Sequence, residues 1–183
     1  MYNKLFKIQR NKGAENLPIL QHWGARDWSK IFKQIRNCSF FPMKINQLIH
    51  NIITDSMFSG DRLQIVNKNS NVGKCPYCNT NSTVIHMFSE CPIIKDVWKV
   101  VEEFGKRQWP DITNFSFEDI PQLTAKYTPS AILKTSVLWS IWLAWCKLFY
   151  ENQTEFEMFY DNIINGTFST LRARINEFPA TIQ

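Results

Sequence analysis

The sequence has few glycines and few histidines, with six Gly and three His among its 183 residues. It contains no glycine-rich phosphate-binding loop, which argues against the nucleotide-binding folds that hold phosphates on such loops. It also contains no internal repeat and no constellation of residues typical of a Ser or Cys nucleophile. Repeat architectures and hydrolases of that kind are therefore not predicted.

The sequence also lacks a long membrane-spanning run. One stretch, Thr135 to Cys146, is apolar apart from its hydroxyl side chains, but Lys134 and Lys147 bracket it at twelve residues, too few to cross a bilayer. We interpret it as the buried centre of a long helix. Because the chain begins without a basic-then-apolar signal segment, we expect an intracellular protein, in the nucleus or cytoplasm, with no membrane partner.

Bulky apolar side chains are abundant, with seven Trp, fourteen Phe and 44% apolar residues, and they predict one compact core. The charge is unevenly distributed. Residues 1–50 carry nine cations against two carboxylates, a net charge of +7, whereas residues 151–183 have a net charge of −3. This asymmetry favours a front half that faces a polyanion.

Three of the five cysteines and one histidine fall within 17 residues, in the spacing Cys75-x2-Cys78-x7-His86-x4-Cys91. Two thiolates two residues apart, followed by a His and a Cys, predict one tetrahedral zinc ion. Three thiolates and one imidazole leave no open coordination position, so this zinc would be structural. The alternative is buried or disulfide-bonded cysteines. Outside the cluster, Cys38 and Cys146 are interpreted as small core residues.

The hydrophobic periodicity predicts a mainly α fold with an embedded zinc knuckle and a C-terminal helical hairpin. Asp27 is expected to cap a first helix, Pro42 to begin a second that Gly60 ends, and Cys91-Pro92 to begin a third that Gly105 ends. The hairpin is expected to run from Pro129 to Phe149 and from about Thr154 to Ile175. The predicted organisation is a basic arm (1–26), a helical zinc-binding region (27–105), a loop (106–128) and the hairpin (129–178).

Several short motifs surround the zinc spacing in a fixed order. They are Pro42-Met43-Lys44-Ile45, Leu48-Ile49-His50-Asn51, Gly60-Asp61-Arg62-Leu63, Cys75-Pro76-x-Cys78, His86-Met87-Phe88-x2-Cys91-Pro92, Trp98, and Leu138-Trp139-x-Ile141-Trp142 with Phe149. With them, the chain from about Trp28 to Ile175 resembles the zinc-binding domain that follows the reverse transcriptase of LINE-type (non-LTR) retrotransposons. Where that family often has an acidic residue and a threonine before the histidine, this sequence has Ser82-Thr83.

The resemblance raises two enzymatic alternatives, and the sequence favours neither. A polymerase needs neighbouring aspartates for two metal ions, whereas Asp161 is a single carboxylate within an apolar helical stripe. Some relatives carry a nuclease, for which Asp111, Glu118 and Asp119 are the candidate acids, but position 120 is Ile and Lys126 is too distant. We therefore expect no enzyme and no small-molecule substrate.

The sequence and the resemblance together predict a nucleic-acid-binding module held together by zinc, with the element RNA or target DNA as its partner. Tyr77 is expected to stack on an unpaired base. The alternative is a zinc-braced scaffold that binds a protein partner. The cations expected to contact phosphates are Lys30, Lys33, Arg36, Lys44, Arg62, Lys68 and Lys74.

Overall fold

The computed structural model describes residues 23–24, 26–66, 73–109, 117–151 and 155–175. Within these residues the protein is mainly helical and has no β-strand, which confirms the mainly α part of the predicted fold class. The elements in chain order are α1 (Trp28–Asn37), α2 (Met43–Ile53), α3 (Gly60–Val66), a π-helical turn (His86–Glu90), α4 (Pro92–Gln108), a 3₁₀ turn (Phe117–Gln122), α5 (Pro129–Glu151) and α6 (Phe156–Ile175).

Helix α1 begins where the sequence predicts. The Asp27 carboxylate accepts a hydrogen bond from the Lys30 backbone N–H at 2.9 Å, which satisfies one of the free amides of the first turn. Ile31 and Ile35 are buried, and through this face α1 packs on α2. The helix is therefore fixed by a local cap and a narrow apolar stripe.

The end of α2 was predicted wrongly. Gly60 was expected to end this helix, but α2 ends at Ile53 and Gly60 is the first residue of α3. Both the backbone N–H and the hydroxyl of Thr54 donate to the His50 carbonyl, and Asp55 follows with φ of +50°, a left-handed conformation that turns the chain away. The Thr54 side-chain hydrogen bond and the left-handed conformation of Asp55 therefore end α2, where the sequence predicted that a glycine would end it.

Helix α4 begins at Pro92, directly after Cys91, as predicted. The predicted stop at Gly105 is wrong, because the helix continues to Gln108 and Gly105 is buried inside it. Glycine weakens a helix by only about 1 kcal/mol, and the buried face formed by Ile94, Val97 and Val101 outweighs that cost. The predicted 106–128 loop accordingly begins later, and it contains the 3₁₀ turn.

Helices α5 and α6 form the C-terminal hairpin and pack on each other more extensively than any other pair of elements. Leu138, Ile141 and Trp145 of α5 are fully buried. Helix α6 is described over Phe156–Ile175, and the predicted start at Thr154 lies outside the described residues.

Helix α5 is long and apolar enough to cross a membrane over Pro129–Tyr150, but 67% of that window is buried inside the protein. A core helix that is mostly buried inside a folded protein can have the same length and apolar composition. Lys134 lies on this helix, is buried, and donates to the Asp119 carboxylate at 2.9 Å. These contacts agree with the interpretation of the Thr135 to Cys146 run as the buried centre of a long helix.

The core extends into the segment predicted to be an arm. Trp23 is buried, and its ring stacks on Phe117 with centroids 4.6 Å apart. Residues 1–22 lie outside the described residues. The folded part therefore includes Trp23, four residues before the cap of α1.

A close approach in the hairpin gives a stability prediction. A Cβ at Gly166 of α6 would lie 3.0 Å from the Ser140 Oγ and 3.3 Å from the Ser140 Cβ of α5, tighter than an ordinary contact. We expect Gly166→Val to lower the free energy of unfolding by about 1–3 kcal/mol through overpacking. Asn165→Val, at an exposed neighbouring position, is the control and should have little effect in denaturant titrations. Equal stability of the two variants would contradict the close packing.

Candidate metal centre

The four residues of the predicted zinc spacing come together in the structure. One atom from each of Cys75, Cys78, His86 and Cys91 lies within 4.8 Å of the other three. The Cys75 and Cys91 Sγ atoms are 3.8 Å apart, and the Cys78 Sγ is 3.4 Å from the His86 Nε2. The cluster could hold one metal ion.

The alternative of a disulfide does not fit this geometry. A disulfide requires sulfurs about 2.05 Å apart, and none of the five cysteines forms one. Cys38 and Cys146 are both half-buried, and Cys38 packs against the core. At the cluster, Cys75, His86 and Cys91 are buried and Cys78 is partly exposed. The metal-binding interpretation is therefore the one that the geometry supports.

The first pair of ligands lies on a tight turn. The Asn79 N–H donates to the Cys75 carbonyl at 2.8 Å, and Asn79 has φ of +58°. The Cys75 N–H in turn donates to the Thr80 carbonyl at 2.8 Å, and Lys74 pairs with Asn81 in an isolated antiparallel bridge. Asparagine tolerates the left-handed conformation better than most residues, so the residue after Cys78 suits this turn.

The second pair of ligands is positioned by the π-helical turn. Thr83 Oγ1 accepts from the His86 N–H at 3.1 Å, and the Cys91 N–H donates to the His86 carbonyl at 3.0 Å. In an α-helix, residues five apart would point about 140° away from each other. The wider turn, with its i to i+5 hydrogen bond, brings His86 and Cys91 onto the same side. The π-helical turn therefore explains why four residues separate His86 from Cys91.

Two tryptophans complete the hydrogen bonds of this turn. Pro92 has no N–H, so it cannot donate to the Met87 or Phe88 carbonyls that precede it by five and four residues. Trp145 of α5 donates through Nε1 to the Met87 carbonyl at 2.9 Å, and Trp98 of α4 donates to the Phe88 carbonyl at 2.8 Å. These indoles satisfy buried carbonyls that would otherwise be costly.

Contact between the Cys75 and Cys91 sulfurs sets the electrostatics of the cluster without a metal, and either thiol can be the proton donor. This contact, with a further contribution from burial, raises the pKa of Cys75 to about 12, and the same contact lowers the pKa of Cys91. The backbone amides of Ile93 and Ile94, at the start of α4, lower the Cys91 pKa further. A bound cation would take the place of the shared proton, so metal binding at this cluster should release protons.

Tyr77 is not available for base stacking in the way that the sequence suggested. Its ring packs against Phe159, with centroids 5.0 Å apart, and against the edge of Phe156 at 6.0 Å. Burial raises the pKa of its phenol to about 12, so it stays neutral at ordinary pH. Tyr77 therefore joins the metal-binding turn to α6, and we leave it out of the nucleic-acid surface.

The predicted phosphate contacts separate into two groups. Lys30, Lys33, Arg36, Lys44 and Lys74 are exposed. Lys44 also lies over the Trp139 ring, with Nζ 4.7 Å from the centroid.

Arg62 was predicted to contact phosphate, but in the structure its side chain is used within the fold. It is half-buried, pairs with the Asp55 carboxylate and donates to the Asp55 and Met57 carbonyls, so it stabilises the turn between α2 and α3. Lys68 lies outside the described residues.

The candidate nuclease acids do not form a described cluster. Asp119 pairs with the buried Lys134, and the metal-compatible group formed by described residues is the Cys/His one. Glu118 and Lys126 are exposed, and Asp111 lies outside the described residues. The sequence did not predict Trp98 and Trp145 as supports of the metal centre; the missing N–H of Pro92 is the sequence signal that indicates their role.

In comparisons with protein-family models, with curated proteins and with solved structures, no match to this chain was found. The resemblance to the retrotransposon zinc-binding domain therefore rests on the motifs themselves and stays a prediction.

The metal centre gives a direct prediction. Cys78→Ser and His86→Ala should each abolish binding of one metal ion per chain, because each removes one of four ligands. We expect a lower melting temperature and faster amide hydrogen exchange over residues 74–98, measured beside the metal content. Cys38→Ala and Cys146→Ala are matched controls that should keep the metal. A Cys78→Ser protein with unchanged metal content and melting would contradict the site.

The tryptophan supports give a second prediction. Trp145→Phe removes the donor to the Met87 carbonyl and leaves that buried oxygen unsatisfied, which should cost about 1–3 kcal/mol. Trp142→Phe, on the same helix but half-buried and without a bond to the π-helical turn, is the control and should cost less. Denaturant titration measures both. A Trp145→Phe variant as stable as its control would refute the supporting role.

Proposed function

We propose that the metal is Zn²⁺ and that its role is structural. Zinc–sulfur bonds of about 2.3 Å and zinc–nitrogen bonds of about 2.05 Å give tetrahedral edges of about 3.8 Å between sulfurs and about 3.6 Å between sulfur and nitrogen. Two of the six pairs of ligand atoms are close to these edges, at 3.8 Å for Cys75 Sγ and Cys91 Sγ and 3.4 Å for Cys78 Sγ and His86 Nε2, and all four atoms lie within 4.8 Å of one another. Three thiolates and one imidazole also suit zinc better than a hard cation such as Mg²⁺.

A four-ligand zinc of this kind has no position left for a water or a substrate, which supports a structural role. It would join the turn from Cys75 to Cys78 to Cys91, the residue directly before α4. Helix α4 in turn packs against both α5 and α6. The ion would therefore fix a surface segment onto the helical core.

We further propose that the protein is a non-enzymatic nucleic-acid-binding module, related to the C-terminal zinc-binding part of a retrotransposon reverse transcriptase. The exposed face of α1 is the observation that carries this proposal. It presents Lys30, Lys33 and Arg36 to solvent, and the helix contains no acidic residue. A short row of cations on a rigid element is the kind of surface that contacts a phosphate backbone.

The spacing of these cations supports the proposal. Lys30, Lys33 and Arg36 follow one another at three-residue intervals, so they cover about a third of the helix circumference and about 9 Å of its length. The opposite face, with Ile31 and Ile35, is buried against the core. The charged groups are therefore held on one side, and Lys44 and Lys74 add exposed cations on other elements.

The mechanism would be electrostatic positioning of RNA or DNA. With about three to five phosphate contacts, the logarithm of the affinity should fall with the logarithm of salt concentration at a slope of about −3 to −4. Because such contacts carry no sequence information, the basic face would set affinity and orientation and leave base recognition to other groups.

Charge reversal tests this proposal. We expect Lys30→Glu, Lys33→Glu and Arg36→Glu together to abolish binding to DNA and RNA at moderate salt. Replacing these residues with Gln instead should weaken binding and reduce the salt slope by about 3. Fluorescence anisotropy across several salt concentrations measures both effects.

The matched control is Lys95→Glu, Lys99→Glu and Arg172→Glu, which changes the net charge equally at exposed positions on α4 and α6. The control should retain most of the binding. Equal losses in the two triple variants would show that net charge acts without a specific face. No binding of the unmodified protein to any nucleic acid at low salt would refute the proposal.

A second candidate function is a zinc-braced scaffold for a protein partner, and one surface favours it. Tyr150, Phe156 and Met158, around the connection between α5 and α6, are exposed by 64%, 53% and 44%. Apolar side chains grouped at one end of a hairpin are common in protein interfaces. Under this alternative, charge reversal on α1 would leave capture of the protein partner intact.

A further inference from the structure

A cleft between α2 and α5 has the features of a binding site for a small planar group. Its volume is about 260 Å³. Trp139 and Trp142, one helical turn apart on α5, are both half-buried, and Phe58, which precedes α3, is exposed by 44%. The residues that line it are Lys44, Gln47, Leu48, Asn51, Ser56, Met57, Phe58, Trp139 and Trp142.

Two amide side chains supply the polar part of the cleft. Gln47 and Asn51 are one turn apart on α2, and the Gln47 Nε2 donates to the Asn51 Oδ1 at 2.6 Å. The Ser56 hydroxyl donates to the same Asn51 oxygen at 3.2 Å. This arrangement orients the amides so that the Gln47 carbonyl can accept and the Asn51 NH₂ group can donate. A donor beside an acceptor matches the edge of a nucleobase.

The charge of the cleft points to the same kind of ligand. Lys44 is its one charged lining residue, and no carboxylate lines it. The Lys44 ammonium lies over the Trp139 ring, a weak cation–π contact at an exposed site that a stronger ligand can displace. A phosphate next to a stacked base would offer that ammonium an opposite charge.

The size of the cleft limits the ligand. Sites for whole cofactors or drug-sized molecules usually exceed about 300 Å³, whereas this cleft has about 260 Å³. It suits a single aromatic ring system better than a dinucleotide, and an extended duplex cannot insert a paired base. The occupant that fits the walls, the amides and the cation is one unpaired base.

We propose that this cleft binds one unpaired nucleobase of a single-stranded nucleic acid, stacked on the tryptophan and phenylalanine rings, read by Gln47 and Asn51, with its flanking phosphate on Lys44. The proposal rests on the proposed nucleic-acid binding and adds the position of base contact. It assigns to Trp139, Trp142 and Phe58 the stacking role for which Tyr77 is too enclosed.

The experiment compares a short single-stranded oligonucleotide with an abasic oligonucleotide of the same length and charge, by anisotropy at one salt concentration. The abasic strand loses base stacking on the aromatic side chains, so it should bind about 5- to 150-fold more weakly. Phe58→Ala and Gln47→Ala, at exposed positions where folding is expected to survive, should weaken binding of the normal strand and leave binding of the abasic strand unchanged.

Leu143→Ala is the matched control, because Leu143 is exposed by 43% on α5 and does not line the cleft. It should affect neither strand. The cleft variants should keep the salt slope of the unmodified protein, since the phosphate contacts of α1 are retained.

Equal affinity for the two strands would overturn base binding in the cleft and would leave the proposed phosphate binding by α1 unaffected. This result is expected if the cleft binds a segment of a protein partner and no base. Equal losses for both strands in Phe58→Ala would also overturn it. Failure of the unmodified protein to bind either strand would instead refute the proposed function on which this inference rests.

Discussion

The Cys/His cluster is the constraint on which the surrounding structure depends. The segment from Lys74 to Ser82 is held by a few backbone hydrogen bonds and one isolated bridge, and it contains no helix or strand. It is attached to the core through Cys75 and Cys78, which meet His86 and Cys91, and through Tyr77, which packs against Phe159. Buried thiols sharing one proton bind each other weakly, whereas one cation attracts all four ligands at once. A cation bound by all four ligands would therefore fix this segment to the start of α4.

The cluster is also coupled to the hairpin, which lies far from it in sequence. Trp145 is 58 residues from Met87, yet its indole donates to the carbonyl between the last two ligands. Tyr77 reaches α6 through Phe159, and the Trp145 ring meets the same Phe159 at 5.1 Å. Because these aromatic groups touch both the ligand turns and the hairpin, loss of the metal should loosen the hairpin's contacts with α4 before it unfolds the hairpin itself. The metal centre and the helices form one core.

Short sequence motifs correctly predicted the structural features that depend on interactions between residues close together in the chain. The ligand spacing, the Asp27 cap and the start of α4 at Pro92 follow from short-range hydrogen bonding and from proline's missing N–H, and the structure agrees with each. Features set by individual hydrogen bonds and ion pairs outside the hydrophobic pattern were missed. The end of α2 depends on Thr54 and Asp55, which no periodicity reveals. Arg62 is held by Asp55 seven residues away, so a residue that looks available in the sequence is used in folding.

The distinction between cations used in folding and cations exposed to solvent supports α1 as the proposed nucleic-acid-binding surface. A net charge of +5 says little about function, because several cations support the fold. Arg62 closes a turn, Lys134 is buried beside Asp119, and Arg174 is buried and donates to Thr135 at 3.0 Å. Once these are set aside, α1 carries three exposed cations and no acidic residue, whereas the exposed cations of α4 share their helix with Asp96, Glu102 and Glu103. The row on α1 is fixed to a buried isoleucine stripe, so its charges meet a polyanion without a large further loss of backbone freedom.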